Sequence, residues 1–190
     1  MGDFVKGSQL EHLPEDIRNG VLLHRSIDSF TDRHALVMLL KQQCPKHLRR
    51  MSGVIIDIYF DHLLCLHWQK FSALPINDTL TEFYTSLAND GLVLSDRFHR
   101  VKQGLLSHQW LIDYQDRKGC LRAFHQIENR LNGRIQFAEQ ADEYLVTNHA
   151  SLEKAFLTFY PKLIQHVSVF AHKQSNRLLD SRSQHASGLE

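Results

Sequence analysis

His24, Asp28 and Asp32 recur every four residues in the stretch His24-Arg25-Ser26-Ile27-Asp28-Ser29-Phe30-Thr31-Asp32, and Asp57 and Asp61 repeat that spacing further along. Steps of four on an α-helix stack side chains on one face. Two helices that each carry such a ladder of carboxylate and imidazole groups can pool them into one site. Oxygen-rich donors of this kind suit a divalent ion such as Mn²⁺, Mg²⁺ or Fe²⁺ better than a structural zinc. The second ladder interrupts Val54-Ile55-Ile56-Asp57-Ile58-Tyr59-Phe60-Asp61-His62-Leu63-Leu64, which is apolar nearly all round and reads as a helix buried at the centre of a domain. A buried, unpaired carboxylate is costly enough to shift its pKa and neutralise, so two acids one turn apart call for a cation, a basic side chain or a water-filled cleft. The competing reading is structural: an ion pair with Arg25, Arg33 or Arg50, or an exposed stripe on a half-buried helix. Spacing alone leaves both open.

The frame that must hold these residues is short. At 190 residues the chain can build one substantial core, and a single domain is expected. With 22 basic against 21 acidic residues it has no overall pull toward nucleic acid or a membrane surface. Cys44, Cys65 and Cys120 form neither an even set nor a Cys-x-x-Cys pair, which predicts free thiols in a reducing compartment, none in a nucleophile's context. The longest apolar run is broken by Asp57 and Asp61 and no signal peptide stands at the start, so a cytoplasmic protein without a membrane span is expected. Of 13 histidines, His12, His47, His67, His99, His125, His149, His172 and His185 lack ligand spacing and read as surface or satisfied core residues.

The periodicity is helical throughout, with no alternation of the kind a half-buried strand shows. A helix is expected from Pro14 through Asp28, then a second from Arg33 to Gln43 capped by Thr31 or Asp32 and ended by Pro45. A long central helix from His47 to Phe71 carries Asp57, Asp61 and His62. Further helices are expected at 77–87, 95–106, 115–131, 136–146 and 151–173. The segment 174–190, rich in Ser, Arg and Gln, is expected to be a disordered tail after a helical domain at 1–173.

Taken in order, Gly2-Asp3-Phe4-Val5-Lys6-Gly7, His24-Arg25-x-Ile27-Asp28-x-x-Thr31-Asp32, Asp57-x-x-x-Asp61-His62, Gln109-Trp110-Leu111 and Phe159-Tyr160-Pro161 resemble the acyl carrier protein phosphodiesterases. The resemblance covers the chain from Gly2 to about residue 170. It implies an all-helical, single-domain bundle related distantly to the HD-domain phosphohydrolases, with Mn²⁺ dependence. The implied reaction cleaves the phosphodiester between 4′-phosphopantetheine and a serine of the carrier protein, within fatty acid metabolism. Asp3 matches the aspartate of the family's Asp-Phe-Val motif, His24, Asp28, Asp32 and Asp61 match its other polar positions, and Asp57 matches an aspartate one turn earlier. Members of the family begin with a further helix carrying an Asn-Phe-Leu-Ala-His type motif and a Gly-Asn-Leu stretch. Met1 stands where that stretch would be in progress, so the expectation is a chain lacking this helix and its candidate histidine.

On this resemblance His24, Asp28 and Asp61 are the expected metal ligands, with Asp32 at a helix junction beside them, and Asp3 and Asp57 are a second donor set or position water. A basic rim of Lys6, Arg25, Arg33, Arg49 and Arg50 is expected to receive the acidic carrier protein, against the alternative of solvated helix charges. Two other readings stand beside it. One is a phosphohydrolase of a nucleotide or another small phosphoester, although the adjacent His-Asp pair of HD proteins appears here in reverse order as Asp61-His62. The other is a helical binding protein without catalysis.

Overall fold

Pro14 opens the first helix as expected: its missing N–H falls where no intrahelical bond is due, and Glu15 and Asp16 meet the positive end of the helix dipole. The structure, a computed structural model describing residues 10, 13–89, 91 and 96–186, is all-α, with no strand among the described residues. Its helices are α1 (Glu15–Arg33), α2 (Ala35–Gln43), α3 (Ser52–Leu66), α4 (Ile76–Asn89), α5 (Asp96–His108), α6 (Trp110–Asp113), α7 (Arg117–Arg130) and α8 (Ala138–Ala186). Short 3₁₀ turns, Arg49–Met51 and Trp68–Lys70, flank α3.

Four boundaries differ from the sequence reading, each for a local reason. The helix α1 runs through Thr31 and Asp32 to Arg33, and the cap of α2 is His34, whose Nδ1 accepts from the Leu36 N–H at 3.3 Å. The central helix is 15 residues long, shorter than 47–71, because 3₁₀ turns take over at both ends and Trp68 Nε1 donates to the Leu74 carbonyl at 2.7 Å. The two helices expected at 136–146 and 151–173 are one, since Ser151 Oγ donates back to the Asn148 carbonyl at 2.9 Å as a residue within a helix does. The α8 backbone continues as helix to Ala186, past the expected start of the tail, because adding residues to an existing helix is far easier than nucleating one.

Contacts divide the chain into two units, Met1–Met38 with Leu157–Glu190, and Leu39–Phe156. In the first unit Phe30 stacks on His166 with ring centroids 4.4 Å apart and lies 6.1 Å from Phe159, and Ser26 Oγ shares a 2.8 Å hydrogen bond with His166 Nε2. The motif residue Phe159 is therefore a packing residue, buried under α1.

In the second unit α3 packs against α7. Its buried face supplies Ile55, Ile56, Tyr59, Phe60 and Leu63. Phe60 meets Phe156 edge-on at 5.3 Å, and Phe124 of α7 meets Phe137 at 5.6 Å. Each fully buried aromatic or aliphatic side chain of this kind stabilises the fold by about 1.5–3 kcal/mol. The motif residues 109–111 are likewise structural: Gln109 takes a left-handed φ of 45°, which turns the chain from α5 into α6, and the Leu111 N–H donates to Tyr84 Oη at 3.2 Å.

Candidate active site

The α1 ladder lies in the first unit. His24 and Asp28 pair directly, Nδ1 to Oδ2 at 2.8 Å, as their four-residue spacing predicts, and the Asp28 side chain is 54% exposed. Asp32 is exposed one turn further on, inside the last turn of α1 rather than at a junction. Directly after this helix, burial in the first place and the Lys162 charge in the second hold the His34 imidazole below its ordinary pKa.

The acids of α3 lie in the second unit, and both Asp57 and Asp61 are exposed. The expectation of a helix buried all round is thus corrected: the core takes one face of α3, and the face carrying the two acids is left to water. Water reaches the residue, yet protein atoms crowd the Asp61 carboxyl, and its pKa is pushed up to about 7. Loss of hydration is the larger cause and the charge of Asp57 the second. A carboxyl shifted in this way by its surroundings is a candidate for chemistry. The same field spreads outward. It raises Cys65 to about 11 and Cys120 to about 12, in each case behind burial, and contributes to raising Tyr114 above its ordinary range.

His62, next to Asp61, turns into the core. It is 7% exposed, and its ring Nδ1 lies 2.8 Å from the Tyr114 carbonyl. A carbonyl oxygen only accepts, so Nδ1 carries a proton and donates it to this bond. Sequence reasoning noted this histidine and gave it no role; the long-range bond to Tyr114, fifty-two positions away, is what orients it. A second polar chain runs from buried Tyr59, Oη 2.7 Å from His149 Nδ1, to Glu153, whose Oε1 lies 2.7 Å from His67 Nε2.

Carboxylate and imidazole donors are of the right kind for a hard divalent ion, and a cation would relieve the repulsion between Asp57 and Asp61. Each pair by itself supplies two donors. Among the described residues no group of three His, Cys, Asp or Glu side chains gathers closely enough to hold an ion by itself. Asp3 and Lys6 lie outside the described residues. Of the expected basic rim, Arg25 and Arg33 belong to α1, Arg49 donates to the Gln42 carbonyl at 3.1 Å, and Arg50 lines an open groove with Arg130 and Arg134, which sequence reasoning passed over.

The sequence profile of the acyl carrier protein phosphodiesterases matches residues 1–163. The chain belongs to that family, and with it to the enzymes that hydrolyse phosphodiester bonds. It is similar to an acyl carrier protein phosphodiesterase of Escherichia coli O157:H7 (strain EC4115 / EHEC), 30% identical over 178 residues that make up 88% of this chain and 87% of that one. Those of Klebsiella pneumoniae (strain 342) and Enterobacter sp. (strain 638) are 30% and 27% identical, covering 87% and 86% of this chain and 86% and 85% of theirs. No solved structure matches the chain significantly. Among the described residues no helix is long and apolar enough to cross a membrane.

Proposed function

We propose that this protein hydrolyses the phosphodiester joining 4′-phosphopantetheine to a serine of holo-acyl carrier protein, in the cytoplasm and with a divalent cation, Mn²⁺ before Mg²⁺ or Fe²⁺. Water attacks phosphorus, the bond from phosphorus to the serine oxygen breaks, and that oxygen takes a proton. The products are apo-carrier protein and free 4′-phosphopantetheine. The observation that carries the reading is the family match over residues 1–163, with the Asp57–Asp61 pair standing at the positions the family resemblance assigns to polar site residues.

The substrate is an anion and its leaving group an alkoxide, so the reaction needs charge neutralisation, a positioned water and a proton donor. A bound divalent ion supplies Lewis acidity and lowers the pKa of water. The chain's own residues supply the rest. Asp61, with its pKa near 7, exchanges a proton within the working pH range and suits the leaving oxygen or the attacking water. Burial first and the Asp57 charge second keep that pKa high while no ion is bound; with an ion held by the two carboxylates, Asp61 stays ionised and acts as a base toward water. His24 and Asp28, already paired, form the other candidate donor set.

The decisive measurement is the mass spectrum of holo-carrier protein after incubation with the protein and Mn²⁺. Loss of the mass of the prosthetic group identifies substrate and bond together, while an unchanged mass under saturating Mn²⁺ removes the proposal. Asp57→Asn and Asp61→Asn abolish the loss with the helical circular dichroism spectrum intact. Unfolding of Asp61→Asn with no loss of cation binding returns these acids to a structural role.

A further inference from the structure

Six arginines lie on α7, in the loop after it and just ahead of α3; Arg49 donates to the Gln42 carbonyl at 3.1 Å, and the other five divide into two kinds. Arg117 is paired with Asp142, and Arg122 with Asp113 at 3.1 Å. Arg50, Arg130 and Arg134 have no ion pair among the described residues, and all three line one open groove of about 290 Å³ together with Leu131, Asn132 and Ile135. The acid closest in sequence, Glu128, is committed elsewhere. Its Oε1 accepts from the Ala138 N–H at 2.7 Å and from the Phe137 N–H, and its Oε2 lies 3.1 Å from His125 Nδ1.

Charge near the end of α7 has an ordinary role, since a cation in the last turn offsets the helix dipole by about 0.3–1 kcal/mol. That accounts for Arg130 alone. Arg134 lies beyond the helix and Arg50 precedes α3. The turn between Arg130 and Arg134 is also closed by backbone hydrogen bonds. Asn132 and Gly133 both take positive φ, 53° and 67°, the Gly133 N–H donates to the Glu128 carbonyl at 3.0 Å and the Arg134 N–H to the Leu131 carbonyl at 3.2 Å. This closure ends α7 and brings Arg130 and Arg134, both exposed, to one groove with the half-buried Leu131. Three unneutralised cations around an apolar strip present the complement of an amphipathic acidic helix.

We propose that this groove docks the acidic face of the carrier protein, with Arg50, Arg130 and Arg134 as the contacts that orient it. The inference rests on the function proposed above. It replaces most of the rim expected from the sequence, keeping only Arg50. The position fits the chemistry: Arg50 precedes Asp57 by seven residues, roughly 10 Å along a helix at about 1.5 Å per residue. A folded protein seated on the arginines therefore keeps a surface serine within reach of the acid pair. Arginine suits the task better than lysine, because its planar fork binds carboxylates with two parallel hydrogen bonds.

The test compares the wild type with Arg50→Ala/Arg130→Ala/Arg134→Ala, with the same three positions changed to Lys, and with Lys118→Ala, an exposed cation at the other end of α7. Two quantities are read: kcat and KM on holo-carrier protein, and the Kd of apo-carrier protein by fluorescence anisotropy, which needs no turnover. The triple alanine variant is expected to raise Kd and KM on the order of tenfold and to flatten their salt dependence, with kcat held. The triple lysine variant recovers part of the loss and Lys118→Ala changes neither. An unchanged Kd in the triple alanine variant, or an equal rise in Lys118→Ala, overturns the docking surface. If the wild type binds apo-carrier protein through these arginines and leaves holo-carrier protein intact, the proposed reaction fails and the docking surface stands.

Discussion

Asp57 stands one helical turn before Asp61 on the water-facing side of α3, and its charge is the second of two influences, after crowding by protein atoms, that raise the Asp61 carboxyl to about 7. The pair thus places a carboxyl that titrates near neutral pH one turn from a second acid. Replacing Asp57 by Asn is expected to bring the Asp61 pKa down toward the ordinary carboxylate range without reaching it, because the larger cause remains. Carbon-13 titration of the Asp61 carboxyl reads this directly. An unmoved midpoint would mean the two acids do not sense each other.

The same raised pKa makes the cation-free protein's stability depend on pH. A carboxyl whose folded pKa of about 7 exceeds its unfolded value adds stability below the unfolded pKa and loses it as pH rises through 7. With chelator present, the stability of wild type relative to Asp61→Asn should therefore fall between about pH 4 and pH 7 and level off above. Urea midpoints of both proteins across that range measure it. A flat difference would place the Asp61 carboxyl in ordinary solvent.

The helical class, most helix positions and the two ladders were legible because period and spacing are local properties. The His24–Asp28 pair needed only a step of four on one helix. What escaped is set by contacts far apart in sequence. Which face of α3 meets water depends on α7 and α8, so the acids were placed in a core they do not occupy. The Arg130–Arg134 turn reads in sequence as an Asn-Gly loop with scattered charge, and only the fold brings Arg50 to it. His62 looked like a neighbour of Asp61 and is oriented by a carbonyl on another element.

Gly119 in the first turn of α7 illustrates a position where helix propensity misleads. Alanine normally improves a helix by about 1 kcal/mol over glycine. Here an added Cβ would overlap the Asp113 carbonyl, because α6 ends directly against this turn. Backbone cannot step aside as a side chain can. Gly119→Ala is expected to destabilise the protein by about 1–3 kcal/mol, read from urea unfolding. A stabilised variant would show that the close approach of α6 to α7 is not maintained.

Removing the His62 ring leaves the Tyr114 carbonyl without its long-range partner in a buried setting. His62→Ala is expected to cost about 1–3 kcal/mol from the unmet acceptor, with the lost packing against Tyr59 added. His62→Asn restores a donor at a similar position and should recover part of that stability. If asparagine recovers stability and leaves kcat reduced, His62 Nε2 has a chemical part beyond its structural one. Full recovery of both confines it to the fold.

Cys65 offers a reporter of the charge on Asp61, because Asp61 is the second cause, behind burial, of a thiol raised to about 11. The thiolate is the reactive form, so its alkylation by iodoacetamide should be slow at neutral pH and should quicken only as pH climbs. Asp61→Asn removes the neighbouring charge and is expected to move the rate profile of Cys65 to lower pH, with Cys44 unaffected, as followed by mass spectrometry of each peptide. A divalent ion held by Asp61 neutralises that same charge. Adding Mg²⁺ to the wild type should then reproduce part of the shift, and adding it to Asp61→Asn should do nothing. A Mg²⁺ effect of equal size in both proteins would mean the ion binds elsewhere, and no effect in either would remove Asp61 from the candidate ligands whatever the variant's activity.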